Sequence, residues 1–146
     1  MQYREAMMGD LAGILDLYKQ LDAGNDRYEE GAATAAWKEI LGDESIRYYV
    51  AVDEGKIIGT CFIVIVTNLT KGVRPFAIIE NVITDEDHRG KGIGKTLIGM
   101  AVERAKARNC YKVQLMSNVK RKDAHLFYER IGFDGNSKRG FEIRFM

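Results

Sequence analysis

The stretch Arg89-Gly90-Lys91-Gly92-Ile93-Gly94-Lys95-Thr96 decides the fold, because of what stands on either side of it. Upstream, residues 76–84 (FAIIENVIT) are a β-rich run. Downstream, Ile93, Leu97, Ile98, Ala101, Val102 and Ala105 recur at helical spacing, which predicts an amphipathic helix over residues 92–108. A strand that turns through glycines into a helix is an anion seat: the first amides of the helix have no partner within it, and glycines let a phosphate approach the backbone. Lys91 and Lys95 add positive charge. The alternative is a set of glycines that merely tighten the turn; the interleaved basic residues weigh against it. Two familiar phosphate loops do not fit. The P-loop needs four residues between its first glycine and Gly-Lys-Thr, whereas Gly90 to Gly94 leaves three, and Arg89 holds the correctly spaced position. The dinucleotide fingerprint fails because Lys95 stands where its third glycine belongs. The pattern that fits is R-x-x-G-x-G on Arg89, Gly92 and Gly94.

Outward from this run, residues 1–6 read as a short strand and 10–21 as a helix capped by Asp10. Residues 22–31 form a loop, and Thr34 caps a short helix through Trp37, Ile40 and Leu41 that Gly42 stops. Strands at 47–52 and 56–66 flank the turn Asp53-Glu54-Gly55-Lys56, whose glycine suits a positive φ. After a loop at 68–74 come the central strand and helix, a strand at 111–116 and a helix at 123–130. A closing hairpin is expected around 137–140, ending in a strand at 141–146. The β–α–β crossover in the middle demands a parallel pair. The reading is one mixed α/β domain over residues 1–146.

The 146 residues suffice for one core and not comfortably for two. With 22 basic against 21 acidic residues the chain lacks the basic surplus of a general nucleic-acid binder. The longest apolar stretch, residues 57–66, has about half the roughly twenty residues a membrane helix needs and contains Gly59 and Thr60. No apolar core follows the first five residues as in a signal peptide, so the expectation is cytoplasmic residence without a membrane partner. Cys61 and Cys110 sit far apart in apolar contexts and read as buried hydrophobes; with His88 and His125 as the histidines, no metal site is expected.

The segment from Ile79-Glu80-Asn81-Val82-Ile83-Thr84 through Arg89-Gly90-Lys91-Gly92-Ile93-Gly94 resembles the acetyl-CoA motif of the GCN5-related N-acetyltransferases. Cys110-Tyr111-Lys112-Val113 followed by Phe127-Tyr128-Glu129-Arg130-Ile131-Gly132-Phe133 resembles that family's second conserved block, with matching order and spacing. The Ile-Glu-Asn-Val and Cys-Tyr-Lys strands are similar to those of glucosamine-phosphate N-acetyltransferases. The resemblance implies the acyl-CoA N-acyltransferase fold: a mixed central sheet with a splayed parallel strand pair, flanked by helices. It implies acetyl-CoA as acyl donor, without a metal, and direct attack by a primary amine of a small molecule in a ternary complex.

Site residues follow from the same resemblance. The backbone of Gly90, Lys91, Gly92, Ile93, Gly94 and Lys95, with Arg89 in the motif, holds the diphosphate. Val82, Ile83 and Thr84 run beside the pantetheine arm as an added strand would. The N–H of Ile83 is the candidate donor to the thioester oxygen, while its side chain also suits the core. Tyr128 is the candidate acid for the leaving thiolate; the alternative is a tyrosine that packs. Glu80 is the candidate base, through water, against a structural carboxylate. It shares a sheet face with Val82 and Thr84 unless a bulge intervenes. Asn81 meets either the substrate or the covering helix. Asn118 is either a pantetheine contact or a turn residue, and the stretch 119–122 departs from tighter family members. Arg74 is a candidate for pairing a substrate anion, or a solvated loop arginine. The Tyr28-Glu29-Glu30 loop, Trp37 and the 68–74 loop are expected at the acceptor rim, and His88 as an exposed turn residue.

Two other functions stay open at this level. One is a protein or peptide acetyltransferase, for which Asp22, Asp26, Glu29 and Glu30 supply acidic character. The other is a non-catalytic acyl-CoA-binding module, which has no need of Tyr128 or Glu80. The apolar closing strand makes a homodimer a candidate assembly, a covered edge in a monomer being the alternative.

Overall fold

The computed structural model describes residues 1–22, 24 and 27–145, in two compact units, Met1–Val113 and Gln114–Met146. In the first unit β1 (Gln2–Glu5), β2 (Ile46–Asp53), β3 (Lys56–Val66) and β4 (Phe76–Thr84) pair antiparallel in chain order. β5 (Val113–Gln114) completes the five-stranded order β1-β2-β3-β4-β5. Its approach to β4 is parallel: Tyr111 N–H donates to the Pro75 carbonyl at 2.9 Å, and Ala77 N–H to that of Lys112 at 3.0 Å. The sheet is thus mixed, as the crossover requires. In the β2–β3 turn Glu54 (φ 49°) and Gly55 (φ 77°) are both left-handed, the geometry that matches the twist of a two-residue hairpin.

Strand alternation gives the sheet two buried faces. One carries Val50, Ile57 and Ile83 against Ile14 and Leu17 of α1 (Leu11–Tyr18) and Trp37 of α2 (Ala32–Leu41). The other receives α3 (Ile93–Ala107), whose buried stripe is Ile93, Leu97, Ile98, Ala101 and Ala105. Gly59 permits this contact: a Cβ there would lie 2.8 Å from Ile93 Cγ2 and 3.0 Å from Leu97 Cδ1. The register puts Cys61, Ile63, Ile79 and Ala77 on the same face, all fully buried or nearly so.

Several boundaries differ from expectation. Asp10 does not cap α1. Its carboxylate accepts the Met7 N–H (2.8 Å) and both terminal nitrogens of Arg4 (2.6 and 3.0 Å), closing the 3₁₀ turn Met8–Asp10 instead. α2 starts before Thr34, after a left-handed Gly31, and ends at Gly42 as read. The 68–74 loop contains a left-handed turn, with Lys71, Gly72 and Val73 at φ 56°, 71° and 62°.

The second unit holds α4 (Lys122–Arg130). The expected closing hairpin is absent among the described residues: 131–145 contain no strand, and Met146 lies outside them. Phe141, Ile143 and Phe145 alternate as a strand would but are 87%, 82% and 91% exposed. Alternation supplies an apolar face, yet a strand exists only where another edge takes up its amides. Among the described residues no helix is long and apolar enough to cross a membrane.

Candidate functional site

The central strand carries a bulge. Thr60 pairs with Ile83 and Phe62 with Glu80, so two steps along β3 match three along β4. The extra residue is accommodated at Asn81, whose φ is 51°; asparagine tolerates this left-handed conformation better than most side chains. The bulge resets which way each residue faces. Glu80 lies on the α1/α2 face with Phe62, and Ile83 is on that face too, while Thr84, opposite Gly59, is on the α3 face. Val82, adjacent to both Ile83 and the bulge, turns with Thr84. The shared face of Glu80, Val82 and Thr84, expected for an unbulged strand, is therefore not formed.

Backbone direction changes as well. Asp85 N–H donates to the Ile58 carbonyl at 2.8 Å. Alternation turns the amide of Ile83 the same way, inward to β3, and leaves those of Val82 and Thr84 aimed at the outer edge. β5 is only two residues long, so the ladder on that edge is short, and residues 80–84 present main-chain groups that an extended ligand can pair with. The Ile83 amide, the expected donor, thus faces β3, and it is the amide of Val82 that faces the open edge.

At the end of the strand, Gly90 (φ 79°) and Gly92 (φ 80°) are left-handed, and a Cβ on either would meet nothing within 4 Å. They are glycines for backbone conformation, with open space before them. α3 starts at Ile93 without a side-chain cap. The Thr96 N–H is the first to bond back, to Gly92 at 3.1 Å, so the amides of Ile93, Gly94 and Lys95 have no partner within the helix. Arg89 Nε donates to the Thr84 carbonyl at 3.2 Å, and Lys91 and Lys95 are exposed beside the amides. The geometry suits a diphosphate.

A carboxylate that sequence reasoning passed over anchors this loop. Asp85 is 2% exposed. Its Oδ1 accepts Gln20 Nε2 at 2.8 Å, and its Oδ2 lies 2.7 Å from His88 Nδ1. Gln20, the hydrogen bond from His88 and the charge of Lys56 at 3.9 Å hold Asp85 down to about 2, against the opposing effect of burial. His88 is accordingly a half-buried partner of Asp85 rather than the exposed turn residue expected. No local pattern announces Gln20, a polar residue just beyond the end of α1.

Beneath the bulge is a buried polar group. The Tyr18 phenol lies with Tyr48 and the Asn81 side chain; burial drives it well above its usual range, Tyr48 adds to the rise and the Asn81 hydrogen bond opposes it. Burial likewise raises Tyr48. Asn81 therefore meets the covering helix α1. Tyr48 stacks on Phe62 (4.6 Å) and receives the edge of Trp37 (5.1 Å). Trp37, 2% exposed and donating to the Met8 carbonyl, belongs to the core and not to a rim. Burial pushes the Cys61 thiol up to about 12.

Arg74 stands before β4, at the end opposite the glycine run, and donates to the carbonyls of Asn109 (3.2 Å) and Cys110 (2.9 Å). Tyr28, Asp22, Glu29 and Glu30 are exposed, and Asp26 lies outside the described residues. In the second unit Tyr128 is half-buried on α4, its ring beside Phe127 (5.3 Å) and Phe133 (6.1 Å). Asn118 forms a turn: its Oδ1 accepts the Lys120 N–H at 2.9 Å and its carbonyl meets His125 Nε2 at 2.8 Å.

Comparison with known proteins agrees with this geometry. The acetyltransferase (GNAT) family model matches residues 11–133. An uncharacterized N-acetyltransferase of Methanocaldococcus jannaschii is 34% identical over 136 residues, which cover 90% of this chain and 59% of that one. A glucosamine 6-phosphate N-acetyltransferase of Trypanosoma brucei brucei is 36% identical over 85 residues, 58% of this chain and 56% of its own. The chain thus spans somewhat over half the length of these curated relatives. A solved structure of a candidate acetyltransferase from Agrobacterium tumefaciens superposes with TM-score 0.92 at 40% identity, covering 99% of both chains.

Proposed function

The chain belongs to the GNAT acetyltransferase family, and on that premise we propose that it moves the acetyl group of acetyl-CoA directly to a primary amine of a small molecule, an amino sugar or related metabolite. The observation that carries this reading is the bulged, open-edged β4 running into two left-handed glycines and three unpartnered helix amides. The strand edge pairs with the pantetheine amides, and the Val82 N–H receives the thioester oxygen as charge develops on it. The free amides of the helix start donate to the diphosphate, and Lys91 and Lys95 beside them offset its charge.

The reaction needs two proton movements. The amine nitrogen attacks the thioester carbon and gives up a proton, which Glu80 takes through water. The carbon–sulfur bond then breaks, and Tyr128 donates to the departing thiolate. Asn118 is proposed as a further pantetheine contact, and Arg74 as an acceptor contact. The identity of the Trypanosoma relative supports the amino-sugar class. The exposed row Phe141, Ile143, Phe145 supports a homodimer through this segment.

A panel of amines with acetyl-CoA, read by release of free thiol, tests the proposal. Turnover confined to small amines, glucosamine 6-phosphate included, is expected. Turnover confined to lysine peptides favours the protein acetyltransferase reading. Coenzyme binding with no turnover on any amine favours a binding module.

A further inference from the structure

Within the glycine run the described contacts are few: Arg89 Nε on the Thr84 carbonyl at 3.2 Å, and Thr96 Oγ1 on the Gly92 carbonyl at 3.0 Å. Gly90 and Gly92 have no neighbour within 4 Å of a Cβ position, and α3 begins without a side-chain cap. What fixes them is the chain at either end. Downstream, Ile93 is buried under the sheet. Upstream, besides the Arg89–Thr84 bond, the contacts with α1 and with His88 meet at Asp85.

One side-chain amide makes the connection to α1. Gln20 Nε2 donates to Asp85 Oδ1 at 2.8 Å, and Gln20 Oε1 accepts the Glu86 N–H at 3.0 Å. Only this orientation of the amide satisfies both partners, since a carboxylate accepts and a main-chain N–H donates. The other carboxylate oxygen holds His88 Nδ1 at 2.7 Å, and the Asp85 carbonyl accepts the His88 N–H at 2.9 Å. The acceptor-only carboxylate requires the proton of the neutral imidazole on Nδ1. Charge-assisted bonds of this kind are about twice as strong as neutral ones. Gln20 thus holds residues 85 and 86, and His88 pins the turn just before Arg89 and Gly90.

We propose that Gln20 and Asp85, with His88, are positioning residues for the diphosphate seat: a latch from the end of α1 that keeps the glycine-run amides preorganised without touching the coenzyme. The proposal rests on the reading of the glycine run as that seat. A latch of this sort acts on affinity for the charged half of the donor, because a loop already in its bound conformation avoids the ordering cost on binding. It leaves the acyl and pantetheine half alone.

Calorimetric titrations with acetyl-CoA and with S-acetylpantetheine, which ends before the diphosphate, separate the two halves. For Gln20→Leu the expected result is about a tenfold rise in the Kd for acetyl-CoA, the size lost with a hydrogen bond to a charged group, and an unchanged Kd for S-acetylpantetheine. Asp85→Leu behaves like Gln20→Leu. Asp85→Asn keeps one oxygen for Gln20 and offers an N–H to His88 in its other tautomer, so it stays near the wild type. A wild-type Kd for acetyl-CoA in Gln20→Leu overturns the proposal, and so does an equal loss for both ligands, which marks a general loss of structure. Wild-type protein that binds no acetyl-CoA removes the reading of the site along with the latch. Gln20 is exposed, so its leucine variant is expected to melt within a few degrees of the wild type.

Discussion

Replacing Gly59 by alanine tests how closely the central helix and the sheet depend on one another. The new Cβ would stand 2.8 Å from Ile93 Cγ2, 3.0 Å from Leu97 Cδ1 and 3.6 Å from Ala51 Cβ. The first distance is about 0.7 Å short of a normal carbon–carbon contact of about 3.5 Å. Ile93 cannot swing its Cγ2 aside, because a β-branched side chain in a helix has essentially one rotamer. Leu97 is fully buried. The helix must lift instead. Overpacking of this kind costs about 1–3 kcal/mol, offset by a few tenths to 1 kcal/mol because alanine stiffens the unfolded chain. A net loss of about 1–2 kcal/mol lowers the melting temperature by about 3–8 °C for a chain of this length. Ile93 directly follows Gly92, so the displacement reaches the unpartnered amides, and the affinity for acetyl-CoA falls several-fold. Calorimetric melting and titration measure both effects. Ile93→Leu removes the clashing methyl, so the double variant recovers part of the loss, giving a favourable coupling in a double-mutant cycle. A Gly59→Ala protein with wild-type melting and affinity, or strictly additive losses in the double variant, refutes the packing argument.

Gly92→Glu or Gly94→Glu places a carboxylate in the phosphate seat, and at Gly92 also forces a side chain into a left-handed conformation; calorimetry is expected to show no acetyl-CoA binding, and normal binding contradicts the loop assignment. Tyr128→Phe lowers turnover about tenfold or more while leaving coenzyme affinity within about twofold, general-acid catalysis contributing 10²–10⁴-fold in typical cases; an unchanged rate removes Tyr128 from the mechanism. Asp85 is held down to about 2 by Gln20 and His88, so its stabilising contribution is complete above the ordinary carboxylate range and disappears as pH falls through 2. Melting temperatures measured between pH 5 and pH 2 should fall more steeply for wild type than for Asp85→Asn, and parallel curves count against that assignment.

Local chemistry makes much of this protein readable from the chain alone. Gly55 at a positive-φ turn, the apolar stripe of α3 and the glycine run each depend on a few neighbouring residues. β3 runs over Lys56–Val66 as its composition indicates. The alternation of Phe141, Ile143 and Phe145 was equally clear and misled, because a strand needs a second edge and the described residues provide none.

What tertiary structure alone decided concerns how separate segments meet. The bulge at Asn81 is a property of the register between β3 and β4; the asparagine in IENVIT permits it but does not place it. That slip turns Glu80 away from Val82 and aims the amides of Val82 and Thr84, in place of Ile83, at the open edge. Gln20 and Asp85 are far apart in the chain and meet only after α1 has packed on the sheet. Sequence determined which residues can bind an anion, since that is chemistry of the residue and its neighbours; folding determined which way each one points, since direction is set by the strand or helix lying alongside.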